Sequence, residues 1–141
     1  MGNRRKARVL ALQIIYQHDI GSRPFDDILR SFWESQGLPP AEIQTFAEDL
    51  AAGVRDHLEE IDALAGEYSS HWNLDRMAAV DRNILRLAVY ELIYRGDIPP
   101  KVTINEFVEI AKKFSTGDSG SFVNGVLDRI YMERGSEKKE N

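Results

Sequence analysis

Apolar residues recur along this chain at helical spacing, and no alternating strand pattern of useful length interrupts them. The first predicted helix runs from about Arg4 to Asp19, with Ala7, Leu10, Ala11 and Ile14 as its core stripe, and stops near Gly21. Ser22 is placed to cap a second helix, with Pro24 in its first turn and its end near Gly37. Pro39 and Pro40 open a third, carrying Ile43, Phe46, Ala47, Leu50 and Val54. A break near His57 precedes a fourth with Leu58, Ile61, Leu64 and Ala65.

The segment from about Leu74 to Tyr94 is the longest apolar-rich run. Met77, Val80, Ile84, Leu87 and Ala88 line one face, while Leu85, Val89 and Leu92 occupy others. A helix apolar on several sides belongs at the centre of a fold. Gly96, Pro99 and Pro100 then break the chain, and Thr103 with Glu106 reads as a capping box for a helix built on Ile104, Phe107, Val108, Ala111 and Phe114. Glu109 and Lys113 fall four apart on its outer face. Gly117 and Asp118 mark a turn, and Phe122, Val123, Val126, Leu127 and Ile130 drive a last helix before a polar tail, expected to fray, after Arg134. The expectation is an all-α protein of about seven helices, one domain over residues 1–141, in two packed sub-bundles.

Composition narrows the chemistry. The 141 residues are 43% hydrophobic, enough for a real core. No apolar run is long enough to span a membrane, and the basic start lacks the apolar core of a signal peptide. Cysteine is absent, which removes disulfides and thiolate chemistry. A cytoplasmic protein without a cofactor is the simplest expectation. His18, His57 and His71 are scattered with no metal-binding spacing, and nucleophile elbows and phosphate-binding Gly-rich motifs are missing. Gly117–Asp118–Ser119–Gly120–Ser121 precedes a helix and could hold a phosphate on free N–H groups, but no strand leads into it. No enzyme is expected.

Charge is distributed unevenly. The net charge is −5, yet Arg4, Arg5, Lys6 and Arg8 all precede the first acid, Asp19. Of 18 basic residues the other 14 face 23 acids, a body of −9. A basic arm can take a short anionic strand at one place, while the acidic remainder suits a basic protein partner. Arginine forks bind phosphate bidentately. A merely solubilising arm is the competing reading. Along the helix, Arg5, Val9, Leu12 and Tyr16 share one line with Gln13 beside it. Tyr16 would offer a face for stacking or for a partner, or else be a core residue with a wet hydroxyl. Phe122 reads either as a stacking platform or as core packing with Val126, and Asp118 and Ser119 read either as contacts or as caps. Lys101, Lys112 and Lys113 could extend a phosphate track or simply be solvated.

Four strings carry more specific information. They are Asp81-Arg82-x-Ile84-Leu85-Arg86-Leu87-Ala88-x-Tyr90-Glu91-Leu92, Pro100-Lys101-Val102-x-Ile104-Asn105-Glu106, Ala111-Lys112-Lys113-Phe114 and Phe122-Val123-Asn124-Gly125-Val126-Leu127-Asp128. In this order, with Arg4–Arg8 and Gln13-x-x-Tyr16 ahead of them, the chain resembles the NusB family over essentially its whole length. The resemblance implies two helical bundles and transcription antitermination. It also implies binding of boxA-type single-stranded ribosomal RNA leader, together with a small-subunit ribosomal protein acting as NusE, in an RNA polymerase complex. Arg4, Arg5, Lys6, Arg8, Gln13, Tyr16, Lys112, Asp118, Ser119 and Phe122 become the expected RNA contacts, and Tyr16 and Asp81 the expected partner contacts. A homodimer is also compatible with it. Asn124 and Gly125 read as structural, the glycine for close helix approach. Val9, Ser121 and Phe107 depart from the family's usual residues, and Phe107 should alter packing more than function. Two other readings stand beside this one. The first is a helical interaction module without RNA binding. The second is the RNA-recognition fragment of a ribosomal RNA methyltransferase, for which a chain ending here leaves no room.

Overall fold

The computed structural model describes residues 2–69 and 73–134; His71 and the tail after Arg134 lie outside them. The described residues form seven α-helices: α1 Asn3–Ile20, α2 Phe25–Gln36, α3 Ala41–Asp56, α4 Leu58–Tyr68, α5 Ala79–Tyr94, α6 Pro100–Phe114 and α7 Ser119–Arg134. A single 3₁₀ turn, Leu74–Arg76, stands before α5. The first bundle packs α1 on α3 with α2 leaning against α1. In the second, α6 and α7 form a tight pair packed with α4 around α5. Helix α5 also touches α1 and α3, so it belongs to both bundles.

The buried pattern explains that position. Every residue from Asn83 to Tyr94 is buried, as a helix apolar on several sides requires. Burying each large aliphatic side chain there contributes about 1.5–3 kcal/mol. The polar residues caught in this core are all partnered. Asn83 donates to Asp19 and to the Ala79 carbonyl. Arg86 grips Asp62 through Nε and Nη2 at 2.8 and 2.9 Å. Asp19 also accepts from Arg82 Nε and Nη2 at 2.9 and 2.6 Å, tying the end of α1 to α5. Helices α3 and α5 meet at Gly53, where an added Cβ would fall 2.1 Å from the Tyr90 ring.

Several local expectations are corrected. Helix α5 starts at Ala79, five residues later than the apolar run suggested. Asn73 caps the 3₁₀ turn by accepting from the Asp75 N–H, and Met77 and Ala78 are extended. Met77 still reaches the core, and Arg82 donates to the Met77 carbonyl and to that of Leu74, which also accepts the Met77 N–H. Helix α2 begins at Phe25 with Pro24 at its N-cap; Ser22 lies outside, and Asp26 and Asp27 meet the positive helix end instead. Pro100 sets the start of α6, so Thr103 and Glu106 are inside the helix and form no capping box. Lys112, not Lys113, pairs with Glu109, at 3.2 Å. Gly125 is exposed with nothing within 4 Å of an added Cβ, so close helix approach does not explain it.

Candidate RNA interface

The four cations of the N-terminal arm have separate fates. Helical geometry turns Arg8 inward, where it is 2% exposed. Its Nε and Nη2 donate to Glu91 at 2.8 and 3.0 Å, and its Nη1 lies 3.6 Å from Glu106. Thr103 completes the site by donating to the same Glu91 carboxylate. Arg8 is therefore almost closed to solvent, at the inner edge of the cleft that Arg4 and Arg5 line, while the other three cations face outward. Arg5 is half-buried and forks onto Glu106 from Nε and Nη2 at 2.9 and 2.7 Å. Those hydrogen bonds hold the Glu106 carboxyl below the usual carboxylate range, against the opposing effect of burial. Arg4 lies over the Phe46 ring at 4.7 Å and 3.9 Å from Asp97, while Lys6 is fully outside.

Further along α1, Gln13 is exposed and Tyr16 half-buried. Both line a groove of about 740 Å³ between α1 and α2, with Phe32, Ser35, Val80 and Phe114 on its other walls. Among the described residues no charged side chain lines it. Phe114 is 40% exposed there, so the groove offers aromatic surface to a visitor.

The second region is the junction of α6 and α7. Gly120 lets α7 start directly under the Lys112 stem; an added Cβ would sit 2.8 Å from Lys112 Cγ. Phe122 is half-buried and packs partly on the core, so core packing and an exposed face coexist in it. Asp118 is exposed. Ser119 is buried, and its hydroxyl meets those of Ser115 and Thr116 at 2.9 and 3.0 Å. Ser115 in turn donates to Asp81 at 2.6 Å. This hydroxyl chain joins the first turn of α5 to the first turn of α7. Asp81, Asp118, Ser119 and Phe122 therefore line one cleft of about 430 Å³ together with Arg76. Asp81, an expected partner contact, thus shares this wall with Asp118, Ser119 and Phe122 of the expected RNA contacts, whereas Gln13 and Tyr16 face the other groove.

Sequence reasoning missed Arg76, a lone arginine in a turn that no spacing rule singles out. Glu106, read from the sequence as a cap and a member of a polar network, is no cap; its network partner Arg5 lies 101 residues away and could not be named from the sequence. Phe107 is wholly buried, in keeping with an effect on packing. Among the described residues no group of three or more histidine, aspartate or glutamate side chains could hold a metal ion. No helix among them is long and apolar enough to cross a membrane.

Cations on a half-exposed helix, aromatic faces beside it and Phe122 in the first turn of α7 are the surface features of this all-helical protein. The sequence pattern of the NusB family matches residues 5–132, and the chain belongs to that family. It is 48% identical over 127 residues to the transcription antitermination protein NusB of Desulforamulus reducens, covering 90% of this chain and 88% of that one. Its fold is similar to a solved T. maritima NusB, with TM-score 0.83, 39% identity and 92% and 91% of the two chains covered. It is also similar to a chain from a structure of antitermination factors NusB and NusE in complex with double-stranded RNA. There the TM-score is 0.85, the identity 30%, and the coverage 94% of this chain and 98% of that one.

Proposed function

We infer that this protein is a transcription antitermination factor. It binds a boxA-type segment of ribosomal RNA leader together with NusE, a small-subunit ribosomal protein, and so helps RNA polymerase transcribe ribosomal RNA operons. It works as one NusB-like domain in the cytoplasm, by assembly and without catalysis. Membership of a family whose relatives carry this name is the observation that carries the reading. The surface chemistry supports it. Arg4, Arg5 and Lys6 supply phosphate contacts, Gln13 and Tyr16 line a neutral groove suited to bases, and Lys112, Asp118 and Phe122 frame the second region. Ser119 acts beneath that surface by fixing the start of α7. Asp81, on the rim of the same cleft, is the contact for a basic partner, and Tyr16 is a second candidate for it.

The test is fluorescence anisotropy of a labelled boxA-type RNA with the wild type and with Phe122→Ala. Loss of one stacking platform costs about 1–3 kcal/mol, so affinity should fall by about fivefold to 150-fold. Unchanged affinity would remove Phe122 from the interface.

A further inference from the structure

Of the arm cations that face solvent, Arg5 is the one held by a fork onto a carboxylate. Two of its N–H groups are committed to Glu106, leaving the Nη1 edge and one Nη2 proton for another acceptor. Glu106 is itself held, because Arg8 Nη1 lies 3.6 Å from its Oε1 and Arg8 is locked onto buried Glu91. Thr103, one turn before Glu106 on α6, donates to that same Glu91. The chain Thr103–Glu91–Arg8–Glu106–Arg5 thus runs from the core to the surface. It ends beside a cleft of about 500 Å³ bounded by Arg4, Ile98, Pro99 and Val102.

Arg4 and Lys6 differ from Arg5 in this respect. Arg4 lies over the Phe46 ring at 4.7 Å with a single 3.9 Å approach to exposed Asp97, contacts less directional than a fork onto a carboxylate, and Lys6 is exposed. Such side chains follow a phosphate wherever it lies, and mobile cations supply binding that ignores sequence. A clamped guanidinium can serve a phosphate in one position only. Its long side chain also loses no rotamer freedom when RNA arrives.

Resting on the RNA-binding reading above, we propose that Glu106 is a specificity-determining residue. It clamps Arg5 in one pose, so that RNA seated in a single register gains this contact and RNA in other registers does not. Its carboxylate also competes with any phosphate that approaches the arginine fork.

The experiment compares a boxA-type RNA with a scrambled RNA of equal length by fluorescence anisotropy over a salt series. It uses wild type, Glu106→Gln, Arg5→Ala and the double variant, each checked for folding by its thermal melt. Glu106→Gln should bind scrambled RNA about threefold to tenfold more tightly. Its salt dependence should steepen by about 0.7 in log–log slope, one single-strand phosphate. BoxA-type RNA should gain less, so discrimination falls. In the Arg5→Ala background the same change should do nothing. Glu106→Asp keeps the charge but shortens the reach, and it should lower discrimination as well. Discrimination equal to wild type in Glu106→Gln or Glu106→Asp overturns the proposal, as does an effect that persists without Arg5. If wild type itself fails to distinguish the RNAs, the RNA reading falls and takes this one with it. If wild type discriminates and the Glu106 variants match it, only the role of Glu106 falls.

Discussion

Arg8 and Arg5, three residues apart on α1, are both paired with carboxylates, but only Arg8 and Glu91 are closed off from water. Removing one member of such a buried pair leaves an uncompensated charge and costs about 3–5 kcal/mol. Arg8→Ala should therefore lower stability strongly in urea unfolding, while Arg5→Ala should leave it near wild type and weaken RNA binding. An Arg8→Ala protein as stable as wild type would contradict the assignment of Arg8 to the core. The sequence displayed four adjacent cations but could not divide them, because the partner of Arg8 is 83 residues away and contact at that separation leaves no local signal. Phe122 was easier to single out, since an aromatic just after a Gly-rich turn stands out locally. That it is half-buried depends on packing and was not readable.

Helix positions and types followed from periodicity, because each buried stripe is local to its helix. Boundaries failed where the chain leaves the helix although the apolar pattern continues, as from Leu74 to Ala78, where Asn73 caps a 3₁₀ turn and Met77 stays in the core without being helical. Two glycines make opposite predictions at this scale. Gly53→Ala drives a methyl into the Tyr90 ring and should cost about 1–3 kcal/mol through forced repacking of α3 on α5. Gly125→Ala adds a methyl in open space within a helix and should stabilise the protein by up to about 1 kcal/mol. Chemical denaturation of the two variants checks both signs. The junction of α1 with α5 adds a pH dependence. Burial opposes ionisation of Asp19, but hydrogen bonds from Arg82 and Asn83 and the charge of Arg86 outweigh it and hold the group below the usual aspartate range. A lowered native value gives stability that is complete above the unfolded value of about 3.9 and is lost as pH falls through the native one. The melting temperature should drop below about pH 4, and less steeply in Asp19→Asn; equal slopes would separate Asp19 from acid sensitivity.

At the scale of the whole molecule, α5 couples two bundles and carries the polar pairs that join them. Arg8–Glu91 and Arg82–Asp19 both run from α1 to α5, so the basic helix is fixed relative to the α6–α7 junction. The central placement of α5 was readable from its all-round apolarity. The common cleft of Asp81 and Phe122 was not, because it depends on how α6 turns into α7. An acidic body behind an arm of which three cations face solvent predicts modest RNA affinity alone and a gain when a basic protein covers the acid. The most direct test is anisotropy titration of labelled boxA-type RNA against a scrambled control, with and without the ribosomal partner, at two salt concentrations. Salt-sensitive binding that prefers the boxA-type sequence and tightens with the partner is the expected result. Equal or absent binding of both RNAs with the partner present would contradict it and leave a helical interaction module.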